Sequence, residues 1–95
     1  MSSTRDYLEY VLDLLSDVPD ITYKKMMGEY ILYSDGIIFG GIYDNRFLIK
    51  RVKSLENTNL KEEIPYPSAK PMYLVDIENR EEISNLIYKL MSDLK

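Results

Sequence analysis

A chain of 95 residues, 45% hydrophobic and 29% charged, has the length and composition of one globular domain spanning residues 1–95. It contains no cysteine and no histidine, which excludes disulfides, thiolate chemistry, zinc–cysteine sites and histidine as a general base. Its net charge of −4 argues against a uniformly basic nucleic-acid-binding surface.

The first residues carry no leader pattern. Met1 is followed by small polar residues and an acidic segment instead of a basic segment and an apolar run. The longest nearly apolar stretch, from Ile37 to Tyr43, is far shorter than the roughly 20 residues of a membrane span. A fold held by packing alone suits a reducing compartment. We therefore expect a cytoplasmic protein that does not enter a membrane.

Apolar residues at helical spacing predict a first helix. Its apolar face consists of Leu8, Val11, Leu12, Leu15 and Val18. Ser3 is the expected N-cap, with Asp6 three residues later as in a capping box. The helix is expected to continue to Pro19, whose ring is incompatible with a helix interior.

The pattern then changes to extended segments rich in Tyr, Ile, Phe and Val. The predicted strands are Thr22–Met27, Glu29–Ser34, Ile37–Tyr43 and Arg46–Val52. Asp35-Gly36 predicts a two-residue hairpin turn, and Asp44-Asn45 is a weaker signal of the same kind. Gly28 indicates a bulge or a break between the first two strands.

The rest of the chain predicts a loop, a short strand and a second helix. Residues 54–71 contain several prolines and asparagines and are expected to form the loop, followed by a strand at Met72–Asp76. Asn79 is the expected N-cap of the last helix, with Glu82 at the capping-box position. The apolar face of this helix consists of Ile83, Leu86, Ile87, Leu90 and Leu94.

These elements predict an α+β fold: an antiparallel β-meander of four to five strands with N- and C-terminal helices. The predicted core contains Leu8, Leu12, Leu15, Phe39, Ile49, Leu86 and Leu90. Strict alternation in the third strand places Ile37, Phe39 and Tyr43 on one face and Ile38 and Ile42 on the other. Both faces are then apolar and both need cover.

Two arrangements satisfy this need for cover. If both helices pack on one face, a twofold homodimer can cover the other. If one helix packs on each face, the domain is complete as a monomer. We expect the homodimer, because short connections make helices on the same side plausible.

No set of residues has the spacing of a catalytic or metal site. The adjacent pairs Glu62-Glu63 and Glu81-Glu82 point their side chains apart, and the serines have no histidine to activate them. Gly40-Gly41 lacks the spacing of a phosphate loop and indicates close backbone packing instead. We expect no enzymatic activity, no catalytic residue, no cofactor and no metal.

The nine tyrosines are the most unusual feature of the composition. Several strand tyrosines are interleaved with lysines, a combination that can stack bases or line a small-molecule groove. Ordinary half-buried strand tyrosines are the competing explanation.

The segment Lys25-Met26-Met27-Gly28-Glu29-Tyr30, continued to Gly36, and the strand Arg46-Phe47-Leu48-Ile49-Lys50 resemble the N-terminal domain of the TfoX/Sxy competence-regulator family. Lys70-Pro71-Met72 before the last strand extends the resemblance over nearly the whole chain, as a stand-alone domain. Lysine stands where the family has an arginine before the Met-Gly pair, which removes a bidentate donor.

The resemblance implies a non-enzymatic regulatory or interaction domain that acts on DNA-uptake competence or transcription through a protein partner. The alternative is a small-ligand or nucleic-acid binding module that uses a Tyr/Lys surface near Gly28. Strong autonomous DNA binding is not expected, because acidic helices flank the basic stretch. The candidate interaction surface consists of Lys24, Lys25, Met27, Gly28, Glu29, Tyr30 and Lys50.

Overall fold

A six-stranded antiparallel sheet with one helix before it and one after it forms the fold, in a computed structural model that describes residues 3–95. The elements are α1 (Arg5–Leu14), β1 (Ile21–Met26), β2 (Glu29–Ser34), β3 (Ile37–Ile42), β4 (Phe47–Ile49), a 3₁₀ turn (Lys53–Leu55), β5 (Lys61–Glu63), β6 (Met72–Leu74) and α2 (Arg80–Leu94). The strand order is β1-β2-β3-β4-β6-β5. The predicted α+β class is confirmed, with more strands than the four to five expected.

Tight turns join the first four strands into a meander. The residue pairs Met27-Gly28, Asp35-Gly36 and Asp44-Asn45 all have positive φ at both positions. Positive φ at both central residues is what the twist of a two-residue hairpin requires. Both predicted hairpin turns are therefore confirmed, and Gly28 marks a break between strands as a turn residue.

One extra residue interrupts the pairing of β3 with β2. Leu32 lies opposite Gly40 and Tyr33 lies opposite Ile38, which leaves Phe39 without a partner of its own. This is a β-bulge, in which two residues of one strand face one residue of its neighbour.

The bulge changes which side chains of β3 share a face. Phe39 and Ile42 are both fully buried in the same core cluster, whereas Tyr43 packs against Tyr66 on the opposite side of the sheet. The predicted alternation, with Phe39 and Tyr43 on one face and Ile42 on the other, is therefore wrong. The cause is that an inserted residue reverses the alternation after it.

Both helices pack on one face of the sheet. They share a single core cluster with buried side chains of β2, β3, β4 and β6, consisting mainly of Leu8, Val11, Leu14, Leu15, Tyr30, Leu32, Phe39, Ile42, Phe47, Ile49, Tyr73, Ile83, Leu86, Ile87 and Leu90. The predicted core residues are buried except Leu12, which is only partly buried against the cluster. Leu14 takes the place expected for Leu12 because α1 is rotated slightly from the predicted face.

The start of α1 differs from the prediction by one residue. Thr4, not Ser3, is the N-cap, and its Oγ1 accepts a hydrogen bond of 3.2 Å from the Tyr7 amide. Ser3 is bonded to groups elsewhere in the chain, described below.

The helix also ends at Leu14, before Pro19, and the chain leaves it through a turn in which the Val18 amide donates to the Leu15 carbonyl. The predicted cap of α2 is confirmed, because Asn79 Oδ1 accepts from the Glu82 amide at 2.9 Å.

The region predicted as a loop, residues 54–71, contains a strand. β5 pairs only with β6 among the described strands, with Lys61 opposite Leu74 and Glu63 opposite Met72. All three residues of β5 are charged, as suits an edge strand that must not pair with other molecules. A strand is predicted from alternating apolar and polar residues, and three consecutive charged residues do not show this pattern.

Candidate interaction groove

The sheet face opposite the helices is apolar, and we call it the open face. Its side chains, assigned from strand register, include Ile31, Tyr33, Ile38, Tyr43 and Leu48. Leu48 is fully buried but does not belong to the helix-side core. Part of the chain other than the helices therefore covers it.

Residues 64–71, the cover segment, lie across this face between β5 and β6. Pro65 is buried, and the Tyr66 ring centroid lies 6.2 Å from that of Tyr43. The Pro67-Ser68 pair makes a tight turn closed by the Ala69 amide, which donates to the Tyr66 carbonyl at 3.1 Å. The open face is thus partly covered by the chain itself.

Arg46 attaches the cover segment to the sheet. Its Nη1 donates to Glu63 Oε1 at 2.6 Å, and its Nη2 lies 3.3 Å from the carbonyl oxygens of Ile64 and Pro65. Its Nε donates to the Tyr43 carbonyl at 3.1 Å. A planar guanidinium can serve four acceptors at once, which a lysine cannot do.

A groove of about 560 Å³ remains between the cover segment and the sheet. Apolar side chains, including Ile38, Pro65, Pro71 and Met72, form much of its lining. The rings of Tyr43 and Tyr66 and the cationic side chains Lys50, Arg51 and Lys70 complete it. None of the described residues that line the groove is acidic.

The two tyrosines of the groove differ in exposure. Tyr66 is 59% exposed, whereas the Tyr43 ring packs over Gly41, where an added Cβ would lie 2.8 Å from Tyr43 Cε2. Burial, followed by the nearby Tyr66 and Glu29, raises the pKa of the Tyr43 hydroxyl. Tyr43 is therefore protonated at neutral pH and can donate a hydrogen bond.

The three cations of the groove also differ. Arg51 Nη1 pairs with Glu62 Oε1 at 2.8 Å, with both side chains about half exposed. Lys50 and Lys70 are exposed and have no ion-pair partner among residues 3–95. Their charges are therefore available to a ligand.

Some residues of the surface predicted around Gly28 lie close to one another in the structure, and others do not. Met27 and Gly28 form the β1–β2 turn, and the Met27 side chain is 95% exposed. Lys24 and Lys25 are exposed on β1, at the edge of the sheet.

Two predicted members lie elsewhere. Tyr30 is buried in the helix-side core, with its ring edge-on to Tyr23. It is therefore not a surface residue, contrary to the prediction. Lys50 follows β4, three strands from β1, at the end of the sheet away from Gly28.

Glu29 joins Ser3 to the turn formed by Asp44 and Asn45. Its Oε1 accepts from Ser3 Oγ at 2.7 Å, and its Oε2 accepts from the Asp44 amide at 3.0 Å. The Asn45 amide donates to Ser3 Oγ at 3.0 Å, and Asn45 Oδ1 accepts from the Thr4 amide at 2.9 Å. These bonds give Glu29 a structural role and explain why Ser3 is not the helix cap.

The Arg46–Glu63 pair predicts acid-dependent stability. The Arg46 hydrogen bond, assisted by Lys61, lowers the pKa of Glu63 below its ordinary value of 4.5. The unfolded chain then binds this proton more readily than the folded one, so the pair's contribution is present above pH 4.5 and is lost as the pH falls through the lowered pKa. Urea midpoints measured from neutral pH downward should fall more steeply for the wild type than for Glu63→Gln. Equal slopes would contradict this role of the pair.

Residues 3–95 contain no group of three or more acidic side chains arranged to hold a metal ion. Every buried side-chain nitrogen or oxygen in this part of the chain has a hydrogen-bond partner. No helix described here is both long and apolar enough to span a bilayer.

No protein-family model matches the chain. A sequence relative is described as the uncharacterised 12.7 kDa protein in the trpE 5′ region of Spirochaeta aurantia. The two are 32% identical over 80 residues, an alignment that covers 80% of this chain and 68% of the relative. The chain belongs to the same family as this Spirochaeta aurantia protein.

Proposed function

We propose that the chain is a non-enzymatic interaction domain that binds a protein partner in the groove of the open face. Its role is regulatory, of the kind implied by the TfoX/Sxy resemblance: control of DNA-uptake competence or of transcription. The observation that carries the proposal is the groove of about 560 Å³, with an apolar lining and two lysines that have no ion-pair partner within residues 3–95.

The chemistry of the remaining polar groups supports binding over catalysis. Several carboxylates pair with arginines: Glu63 with Arg46, Glu62 with Arg51 and Asp13 with Arg80. Glu29 is held by Ser3 and by the Asp44 amide. With these groups engaged and no histidine or cysteine in the sequence, binding is the activity that the groove supports best. We also propose that the domain lies in the cytoplasm, because a fold without cysteine suits a reducing compartment.

A small-ligand or nucleic-acid binding module remains the alternative, and the exposed Tyr66 ring beside Lys50 and Lys70 favours it. A homodimer that covers the open face is a third possible use of the same groove. Both helices pack on the other face, which is the arrangement that this dimer requires.

Capture of the partner by variants of two surfaces tests the proposal. Immobilised wild-type domain, Ile38→Asp and Met27→Asp are compared against native lysate. Ile38 is 40% exposed in the groove, and Met27 is 95% exposed in the first turn, so both variants should fold, which circular dichroism checks. We expect the partner to be retained by Met27→Asp and lost by Ile38→Asp, because a buried carboxylate opposes apolar contact. Loss only with Met27→Asp would move the binding surface to the first turn, and loss with neither would overturn the proposal.

A further inference from the structure

The groove is locally positive in a chain whose net charge is −4. Its charged lining consists of Lys50, Arg51 and Lys70. The exposed side of α1, in contrast, carries several carboxylates, at Asp6, Glu9 and Asp13. The cations of the groove attract an anionic ligand to this place, whereas the net negative charge of the chain repels it from the molecule as a whole.

The two cations without an ion-pair partner among residues 3–95 come from different segments of the chain. Lys50 follows β4 in the sheet, and Lys70 belongs to the cover segment. Arg51 is already paired with Glu62, so it contributes less to a ligand. Because β4 and β6 are antiparallel and Ile49 pairs with Tyr73, both lysines lie at the same end of these strands, where they suit a ligand with more than one negative group.

Apolar side chains line the same groove as these lysines. Ile38 on the sheet and Tyr66 on the cover segment are both substantially exposed, and Met72 lines the same space. An apolar group of the ligand would remove these side chains from water. The ligand is therefore amphipathic, with an apolar group close to its anions.

The cover segment is suited to side-chain recognition. Pro65, Pro67 and Pro71 have no amide hydrogen, and the Ala69 amide already donates to Tyr66. Four of the eight residues of this wall therefore offer a peptide no backbone donor, so its side chains carry much of the recognition. The prolines also fix φ at three of the eight positions of the wall, which lowers the entropy lost on binding.

The same observations argue against a nucleic acid. Grooves for single strands combine a row of cations with several rings free to stack on bases. Here two lysines are unpaired, and the Tyr43 ring is packed over Gly41, so of the groove's two tyrosines Tyr66 is the more available for stacking. One available ring and two lysines therefore favour a short acidic peptide over a phosphate chain, which uses more of both.

We propose that the groove binds an extended acidic peptide of a partner protein, with carboxylates at Lys50 and Lys70 and a neighbouring apolar side chain against Ile38 and Tyr66. This inference rests on the proposed interaction function and specifies its ligand.

The test uses amide NMR shifts of the whole chain during titration with a synthetic peptide, acetyl-Gly-Asp-Glu-Leu-Glu-Asp-Gly-amide. Its counterpart with Asn and Gln in place of the acids is the matched ligand control. We expect saturable shifts that are largest at the groove, for the acidic peptide only. The double variant Lys50→Glu/Lys70→Glu should weaken binding by about tenfold or more.

Lys24→Glu/Lys25→Glu is the matched protein control, because it makes the same charge change on exposed residues of β1. It should change the affinity by less than about twofold at physiological salt, since distant exposed charges are screened. Equal loss in both double variants would overturn the site and indicate non-specific attraction.

Two further measurements exclude the other occupants. Tighter, steeply salt-dependent binding of a single-stranded oligonucleotide than of the peptide would overturn the inference in favour of a nucleic acid. Sedimentation equilibrium showing a dimer of the 11.2 kDa chain that the acidic peptide does not dissociate would assign the groove to a second copy. If the peptide fails to bind while Ile38→Asp still abolishes partner capture, the interaction function stands and the acidic ligand is wrong.

Discussion

Gly40→Ala is expected to lower the free energy of unfolding by about 3 kcal/mol, at the upper end of the cost of overpacking. A Cβ at this position would lie 2.3 Å from the Leu48 carbonyl oxygen and 2.9 Å from Ile49 Cα. Both are backbone atoms of β4, so no side chain can rotate away to relieve the contact. Relief requires β3 and β4 to separate where Gly40 pairs with Ile49. Urea unfolding followed by circular dichroism measures the change.

Gly36→Ala is the control for Gly40→Ala. A Cβ at Gly36 would have no atom within 4 Å, but its φ is +76°. Its cost is therefore backbone strain alone, about 1 kcal/mol. If the two variants lose equal stability, the close approach of β4 is not what requires glycine at position 40.

Leu8→Ala is expected to cost about 2–5 kcal/mol, the range for a buried leucine that leaves a cavity. Leu8 is 1% exposed and contributes to the core shared by both helices. Leu12 lies one turn later in α1 and is only partly buried, so Leu12→Ala should cost clearly less. The two variants delete the same atoms and have the same change in helix propensity, so their difference reports burial. Equal midpoints in urea would contradict the observed orientation of α1.

Features decided by neighbouring residues were predictable from the sequence. The cap of α2 depends on Asn79 and the amide three residues later, and its apolar face depends on local periodicity. The hairpin at Asp35-Gly36 depends on the conformational freedom of two adjacent residues. Gly40-Gly41 was also interpreted correctly as a place of close backbone packing.

Features decided by distant residues were not predictable in this way. The bulge at Phe39 exists only because β3 pairs with β2 in a shifted register, and nothing within β3 specifies that register. Serine is a favoured N-cap residue, but the Ser3 hydroxyl donates to Glu29 and accepts from the Asn45 amide, and both residues are far away in sequence. The cap position then passes to Thr4.

The groove is not predictable from the sequence, for the same reason. The pattern of Lys50 and the strand tyrosines indicates a binding combination, but it predicts a position beside Gly28. The prolines near Lys70 and Tyr66 predict a loop and give it no position relative to the sheet. Arg46 holds that loop through Glu63 and two carbonyl groups, contacts that no local pattern indicates. The prolines around Tyr66 were the one available signal of an ordered segment.

The strand order has a consequence for how the domain is completed during synthesis. β5 leaves the ribosome before β6, yet β6 lies between β4 and β5 in the sheet. β5 therefore has no neighbour to pair with until the later strand has inserted next to β4. The cover segment connects these two strands, so it reaches its final position only at that step. The groove is consequently among the last features of the molecule to form, after the four-stranded meander has been translated.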